Sequence, residues 1–265
     1  MIIHIGFNKG GTRKTTVALM LALYFVECGK RVAICDLDGQ EDMSRLLGKP
    51  KDYKGKGSEK LFESVVEGDF PLLPVEEWKC RADVEGQLFY IPASHGKLAD
   101  INRIGKESFV HNFKENTKRL AEQFDVVIID TPPSLVLTQM ASLAAANSVV
   151  MPLNADFNGC GIEKVKQYFT LYNSVKKKYN KSLGLPSVIL SAVDIKGKQA
   201  KDYVAWARDF FGNRITSRYI EQSAAVQNAV IDKRAVWYKC SSGNDRSKGA
   251  TYRRVLDELV AITGK

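Results

Sequence analysis

Two lysines bracket a glycine pair in "NKGGTRKTT", residues 8–16, directly after the apolar run "MIIHIGF". Glycines that follow a first strand let the backbone close around phosphate oxygens with its amides pointing inward. A lysine after them reaches the terminal phosphates, and a hydroxyl at the start of the next helix can hold Mg²⁺. Gly10, Gly11, Lys14 and Thr15 supply those parts, and Thr12, Arg13 and Thr16 complete the loop. Arg13 stands where a strict phosphate-loop pattern has glycine, and Lys9 is an additional cation ahead of the turn. Two acidic motifs accompany the loop: "DLDGQ" carries Asp36 and Asp38, and "VVIIDTPP" carries Asp130. A carboxylate at the tip of a buried strand is costly unless hydrogen bonds or a cation compensate it, and Mg²⁺ would do so. Singly, each aspartate is more simply a turn or helix-cap residue. Together with the loop they point to nucleotide phosphates.

These residues need a scaffold that brings strand ends together. Short β-branched runs at 1–7, 31–38, 88–94, 125–133, 148–154 and 187–193, with a weaker one at 214–220, alternate with segments long enough for crossover helices. That alternation predicts an α/β fold: a doubly wound, mostly parallel sheet with helices on both faces, of the P-loop NTPase type. Ligands in such sheets bind beyond the carboxyl ends of the strands, so the loops after Phe7, Cys35 and Ile129 are expected to line the site. "TTVALMLALYFVECG" is apolar almost all round and reads as a helix wedged under the sheet and ended by Gly29. Residues 48–81 are irregular, with one short helix expected at "SEKLFESVVEGD" and Ser58 as its cap. The whole of 1–265 is expected to form a single P-loop ATPase domain, with no appended N-terminal helix-turn-helix segment.

Composition narrows the function classes. The five cysteines are scattered without a C-x-x-C pair, which disfavours a zinc, iron–sulfur or disulfide framework and fits a reducing cytoplasm. No run of about twenty apolar residues suits a transmembrane helix. The net charge of +9 is unevenly placed: residues 1–132 carry 19 Lys+Arg against 20 Asp+Glu, and residues 133–265 carry 20 against 10. A basic second half suggests a polyanionic partner, nucleic acid or an anionic membrane surface.

Taken together, the motifs resemble the ParA-type DNA partition ATPases, within the deviant Walker A group that includes MinD and the nitrogenase iron protein. The group's loop reads K-G-G-x-G-K-[ST], and Lys9 matches its signature lysine. "DLDGQ" is similar to the family's D-x-D-P-Q, "LFYIPASHGKLADI" to its L-I-P-A-S stretch, "IIDTPPSLVLTQMASLAAANSVVMPLNADF" to its D-x-P-P-S block, and "TYRRVLDELV" to its closing helix, so the likeness spans nearly the whole chain. The resemblance implies ATP and Mg²⁺ as cofactors and slow, partner-stimulated ATP hydrolysis. Residues 9–16 would form the ATP site, with Lys14 on the β- and γ-phosphates and Lys9 reaching the partner's nucleotide in an ATP-dependent homodimer. Thr15, Asp38 and Asp130 would serve the metal, Asp38 also placing the attacking water. Arg13 and Gly39 depart from the pattern and bear on the hydrolysis rate, Arg13 being expected to be merely tolerated.

The same resemblance implies non-specific binding of double-stranded DNA by the basic half, with candidates Lys196, Lys198, Lys201, Arg218, Lys233, Arg234, Arg253 and Arg254. It also implies a ParB-like centromere-binding adaptor as partner and a nucleoid-associated, cytoplasmic location. No membrane attachment is expected, because the apolar stripe of the last helix suits a core and Asp257 and Glu258 oppose lipid binding. The alternative is a ParA/MinD-like ATPase that positions another cargo on the nucleoid or membrane. A metabolic synthetase on the same fold would share the loop but would not need the basic half.

Overall fold

The computed structural model describes residues 1–81, 86–194 and 197–264. Its strands are β1 (Ile2–Ile5), β2 (Arg31–Asp36), β3 (Leu73–Pro74), β4 (Gln87–Ile91), β5 (Val126–Asp130), β6 (Ser148–Leu153) and β7 (Ser187–Leu190). They form one sheet in the order β3-β4-β2-β5-β1-β6-β7, parallel throughout except for antiparallel β3. The expected doubly wound P-loop architecture is therefore present. β5 is central and buried at all five residues, which is why its sequence is apolar without alternation until Asp130.

Each face of the sheet carries its own core. On one side Val17, Leu19, Met20 and Leu21 of the helix Lys14–Glu27 pack with Val255, Leu256 and Leu259 of the helix Gly243–Thr263. The apolar stripe of the last helix is thus a core face, as its sequence suggests. On the other side Phe62, Phe113, Leu143, Tyr168, Tyr172 and Tyr203 fill the space beneath the helices Glu107–Gln123, Leu137–Ala145, Ile162–Lys178 and Lys198–Phe211. The helix Lys14–Glu27 stops where Gly29 takes a φ of 74°, the left-handed conformation that glycine adopts without a Cβ clash.

Three local expectations are corrected. Residues 214–220 do not form a regular strand. The chain runs parallel beside β7, touching it at the bridge Val188–Ile215, and meets the residues that follow β7 at the bridge Val193–Glu221. Between them the Thr216 hydroxyl donates to the Arg218 carbonyl at 2.7 Å, a local bond that competes with the ladder, and Ser217 bonds to the distant Glu258. Conversely, Leu73–Pro74 forms the edge strand β3, short enough and with proline placed so that the missing N–H costs no ladder bond. Ser58 does not cap the short helix Lys60–Glu63; its hydroxyl donates to the Asp36 carbonyl at 2.7 Å, pinning the irregular excursion to the end of β2.

Candidate functional site

Sheet register alone places the two central carboxylates side by side. β2 and β5 are adjacent and parallel, and Asp36 pairs with Asp130 at their carboxyl ends. The residues after β1, β2 and β5 then surround a cavity of about 420 Å³ lined by Gly10, Gly11, Arg13, Lys14, Thr15, Thr16, Asp38, Gln40, Asp42 and Pro133. The three loops anticipated from the strand pattern do converge. Gln40, Asp42 and Pro133 are additions that only the folded chain reveals.

The loop is held from below by buried polar contacts. Ser191 at the end of β7 donates its hydroxyl to the Thr12 carbonyl at 2.8 Å. His4, fully buried in β1, bonds through Nδ1 to Ser142 Oγ at 2.8 Å and through Nε2 to the Tyr168 hydroxyl at 2.9 Å. Burial, reinforced by the nearby Lys14 charge, pushes its pKa down to about 3, so His4 is neutral and structural. Neither Ser191 nor His4 belongs to a motif, and only their position in strands hints at them.

The two aspartates of the sheet have different fates. Asp36 is satisfied: it accepts from Asp38 N at 3.0 Å, Ser44 N at 2.9 Å and Ser44 Oγ at 2.6 Å. Burial still pushes its pKa up to about 7, the Ser44 bonds opposing. Asp130 is 1% exposed, and both its carboxylate oxygens are buried without a hydrogen-bond partner in bonding geometry. Burial and the adjacent Asp36 raise its pKa well above the usual range, against opposing pulls from the Thr15 hydroxyl and Lys14. Such an orphaned carboxylate beside a threonine hydroxyl and an open phosphate-sized cavity fits a Mg²⁺ site of the kind completed by waters and phosphate oxygens. Among the described residues no group of three or more His, Cys, Asp or Glu forms a ready metal cage. Of the three residues expected to serve the metal, Thr15 and Asp38 line the cavity, and Asp130 lies next to Thr15 without lining it.

The two lysines sit differently. Lys14 is buried, and its ammonium donates to the Lys9 carbonyl at 3.0 Å. Burial lowers its pKa, while Asp130 and Asp38 work to raise it. The Lys9 side chain does not line the cavity and lies against Gly159 beside the Asp156 carboxylate: a Cβ on that glycine would come within 2.7 Å of Asp156 Oδ2 and 2.9 Å of Lys9 Cε. It therefore does not serve the loop's own phosphates in this arrangement. Arg13 occupies the left-handed region, with φ 64° and ψ 28°, the conformation that penalises a side chain there.

The basic candidates divide sharply. Arg253 is wedged between the Tyr24 and Trp237 rings, 4.3 and 5.4 Å from their centroids, and ion-paired to the buried Glu27 carboxylate. Arg234 is buried, bonding to Asp232 and to the Tyr238 carbonyl. Both guanidiniums are thus engaged within the chain, Arg234 buried and Arg253 partly exposed. Arg218 pairs with Glu258 and Lys233 with Glu77 at the surface. Lys198, Lys201 and Arg254 are exposed and make no ion pair with a described residue. Lys196 lies outside the described residues.

Asp130 makes a measurable statement about stability. A carboxylate whose folded pKa is raised destabilises the fold increasingly as pH climbs above its unfolded value toward its folded one. Asp130→Asn is therefore expected to stabilise the nucleotide-free protein by about 1–3 kcal/mol at pH 8, with the gain shrinking toward pH 4. Urea unfolding across that range checks both sign and trend.

Comparison with known proteins agrees with this geometry. The profile of the AAA_31 family, an AAA domain, matches residues 1–185. The "Chromosome-partitioning ATPase Soj" of Treponema pallidum (strain Nichols) is 26% identical over 263 residues, covering 97% of this chain and 96% of the relative. The "Chromosome partitioning protein ParA" of Myxococcus xanthus (strain DK1622) is 26% identical over 215 residues, 81% of this chain and 72% of the relative. Among solved structures, cobyrinic acid a,c-diamide synthase from Mycobacterium smegmatis with bound ATP analogue and magnesium superposes with a TM-score of 0.78 at 22% identity, covering 98% of this chain and 93% of that one. That likeness is one of fold. With its phosphate loop, paired aspartates and sheet order, the chain belongs to the AAA domain family and resembles the ParA-type partition ATPases within it.

Proposed function

We propose that the chain is a DNA-segregation ATPase that binds ATP and Mg²⁺ in the cavity above β1, β2 and β5. The observation that carries this reading is the orphaned Asp130 carboxylate at the end of β5, next to Thr15 and Lys14, which themselves line a cavity edged by Gly10 and Gly11. The amides of residues 10–15 would cradle the phosphates at the N-terminus of the helix Lys14–Glu27. Lys14 would exchange the Lys9 carbonyl for a β- or γ-phosphate oxygen. Thr15 and Asp130 would hold the metal, which when bound neutralises charge on the phosphate oxygens. Asp38, on the cavity wall and half-exposed, is placed to orient an attacking water.

Lys9 extends this reading to a second copy of the chain. It does not line its own cavity, and a cation meeting the partner's nucleotide would tie dimerisation to ATP. DNA binding would then use the free cations Lys198, Lys201 and Arg254, with a ParB-like adaptor stimulating hydrolysis and release. The diamide synthase shares the sheet and loop, but a second half carrying 20 Lys+Arg against 10 Asp+Glu favours a polyanion as the target.

Three outcomes are expected. Lys14→Ala should abolish ATP binding in calorimetry, whereas Asp38→Ala should bind ATP and lose hydrolysis; equal binding by Lys14→Ala and wild type would remove the site assignment. Lys9→Ala should stay folded but fail to form an ATP-dependent dimer in light scattering with a slowly hydrolysed analogue. A dimer with wild-type turnover would make that lysine dispensable. Finally, the double charge reversal Lys198→Glu, Lys201→Glu should weaken binding to random duplex alike for all sequences and flatten its salt dependence by about one unit per lost phosphate contact. Unchanged gel shifts, or binding to anionic vesicles in place of DNA, would contradict the DNA reading.

A further inference from the structure

Arg13 is the loop residue that the family pattern does not explain. Arg13 lines the phosphate cavity, and it also lines a smaller cleft formed with Ser191, Gln222, Ser223, Val226 and Tyr252. Thr16 alone shares this double placement, so the two residues form the sill over which the two spaces join. A nucleotide whose terminal phosphate is served by Asp38 in that cavity leaves Arg13 and Thr16, the residues shared with the cleft, for its nucleoside-proximal end.

The guanidinium there is half-buried and has no mate. Among the described residues it makes neither an ion pair nor a side-chain hydrogen bond. Glu221, the carboxylate lining the cleft, is already paired with Lys248. What the Arg13 charge does reach is Tyr252, where it opposes the upward push of burial on the phenol. A planar five-donor fork beside a phosphate cavity, with no internal anion to satisfy it, matches phosphate oxygens better than any neighbour in its own chain.

We infer that the Arg13 side chain binds the phosphate chain of the nucleotide at its nucleoside-proximal end, a contact made equally to ADP and ATP. The inference rests on the nucleotide reading of the site. It replaces the expectation that Arg13 is only tolerated. Because the contact lies away from the terminal phosphate, it sets how tightly nucleotide of either kind is held and how fast ADP leaves, and it does not discriminate between them.

The test pairs affinity with stability in two variants. Arg13→Gly relieves the left-handed strain at φ 64°, so the nucleotide-free melting temperature should rise by about 2 °C. At the same time the Kd for ADP and for a slowly hydrolysed ATP analogue should each rise about ten-fold, the loss of one charged hydrogen bond. Arg13→Ala keeps the strained backbone and loses the charge, so it should show the same affinity loss without the stability gain. Wild-type Kd values for both ligands in both variants would overturn the inference, and so would a loss confined to the ATP analogue, which would put Arg13 on the terminal phosphate. Lys14→Ala run alongside separates the two levels: if it too binds normally, the nucleotide site itself fails, and if it alone loses binding, only the role of Arg13 does.

Discussion

Two buried carboxylates on neighbouring strands constrain everything around them. Parallel pairing sets Asp36 against Asp130 at the carboxyl ends of β2 and β5, in surroundings that raise both pKa values. Like charges so close in a dry site cannot both be left uncompensated. The chain solves half of the problem internally. Ser44 gives Asp36 a backbone and a hydroxyl donor, and the same hydroxyl accepts from Ala93 N at 2.8 Å, which locks the end of β4 to the turn after β2. Asp130 is given no such donors. Its compensation comes from Lys14, itself buried and held on the Lys9 carbonyl, and from whatever cation enters the cavity above. In the proposed reading the cost of the orphaned carboxylate favours a bound cation: a fully satisfied Asp130 would stabilise the apo protein and leave less to gain on binding.

The basic half of the chain is organised by a similar division. Counted from the sequence, its positive charge suggests one broad polyanion surface, but several arginines are structural cement. Arg253 holds the last helix against Tyr24, Glu27 and Trp237. Arg214 donates to the carbonyls of Leu185 and Ile262 and to Ser187 Oγ, tying the chain after the helix Lys198–Phe211 to β7 and to the last turn of the chain. Arginine suits these places because its planar fork satisfies several acceptors at once and its stem packs on rings. Lysines carry most of the free charge: Lys177, Lys181, Lys198 and Lys201 are exposed. Net charge read from composition therefore overstates the surface available to a polyanion.

The strands of the parallel sheet were legible because burial on both faces demands unbroken β-branched runs, and a run such as residues 126–130 has few other readings. The phosphate loop was legible because glycine, lysine and threonine at those spacings have few alternative uses. What stayed hidden depended on distant partners. Nothing around Ser58 reveals that its hydroxyl bonds to a strand end 22 residues earlier, nor does the segment around Arg253 show that Glu27, 226 residues away, receives it. β3 was missed because two residues with a proline carry no periodicity. The double placement of Arg13 was likewise invisible, since the second cavity is built by residues after 190.

The resting position of Lys14 links the two lysines of the loop through one peptide unit. The Lys9 carbonyl accepts from Lys14 Nζ at 3.0 Å and from Thr12 Oγ1 at 3.4 Å, the latter at the limit of a useful bond. Any phosphate that draws the ammonium forward removes the stronger of these two donors from the Lys9 carbonyl. The peptide bearing Lys9 then keeps only the weaker of these two contacts, while its side chain rests against Gly159, where a Cβ would crowd it. Among the described residues Lys9 makes no ion pair within 4.0 Å, although the Asp156 carboxylate flanks the same glycine. One peptide unit thus joins the ammonium at the cavity to the cation that does not line it.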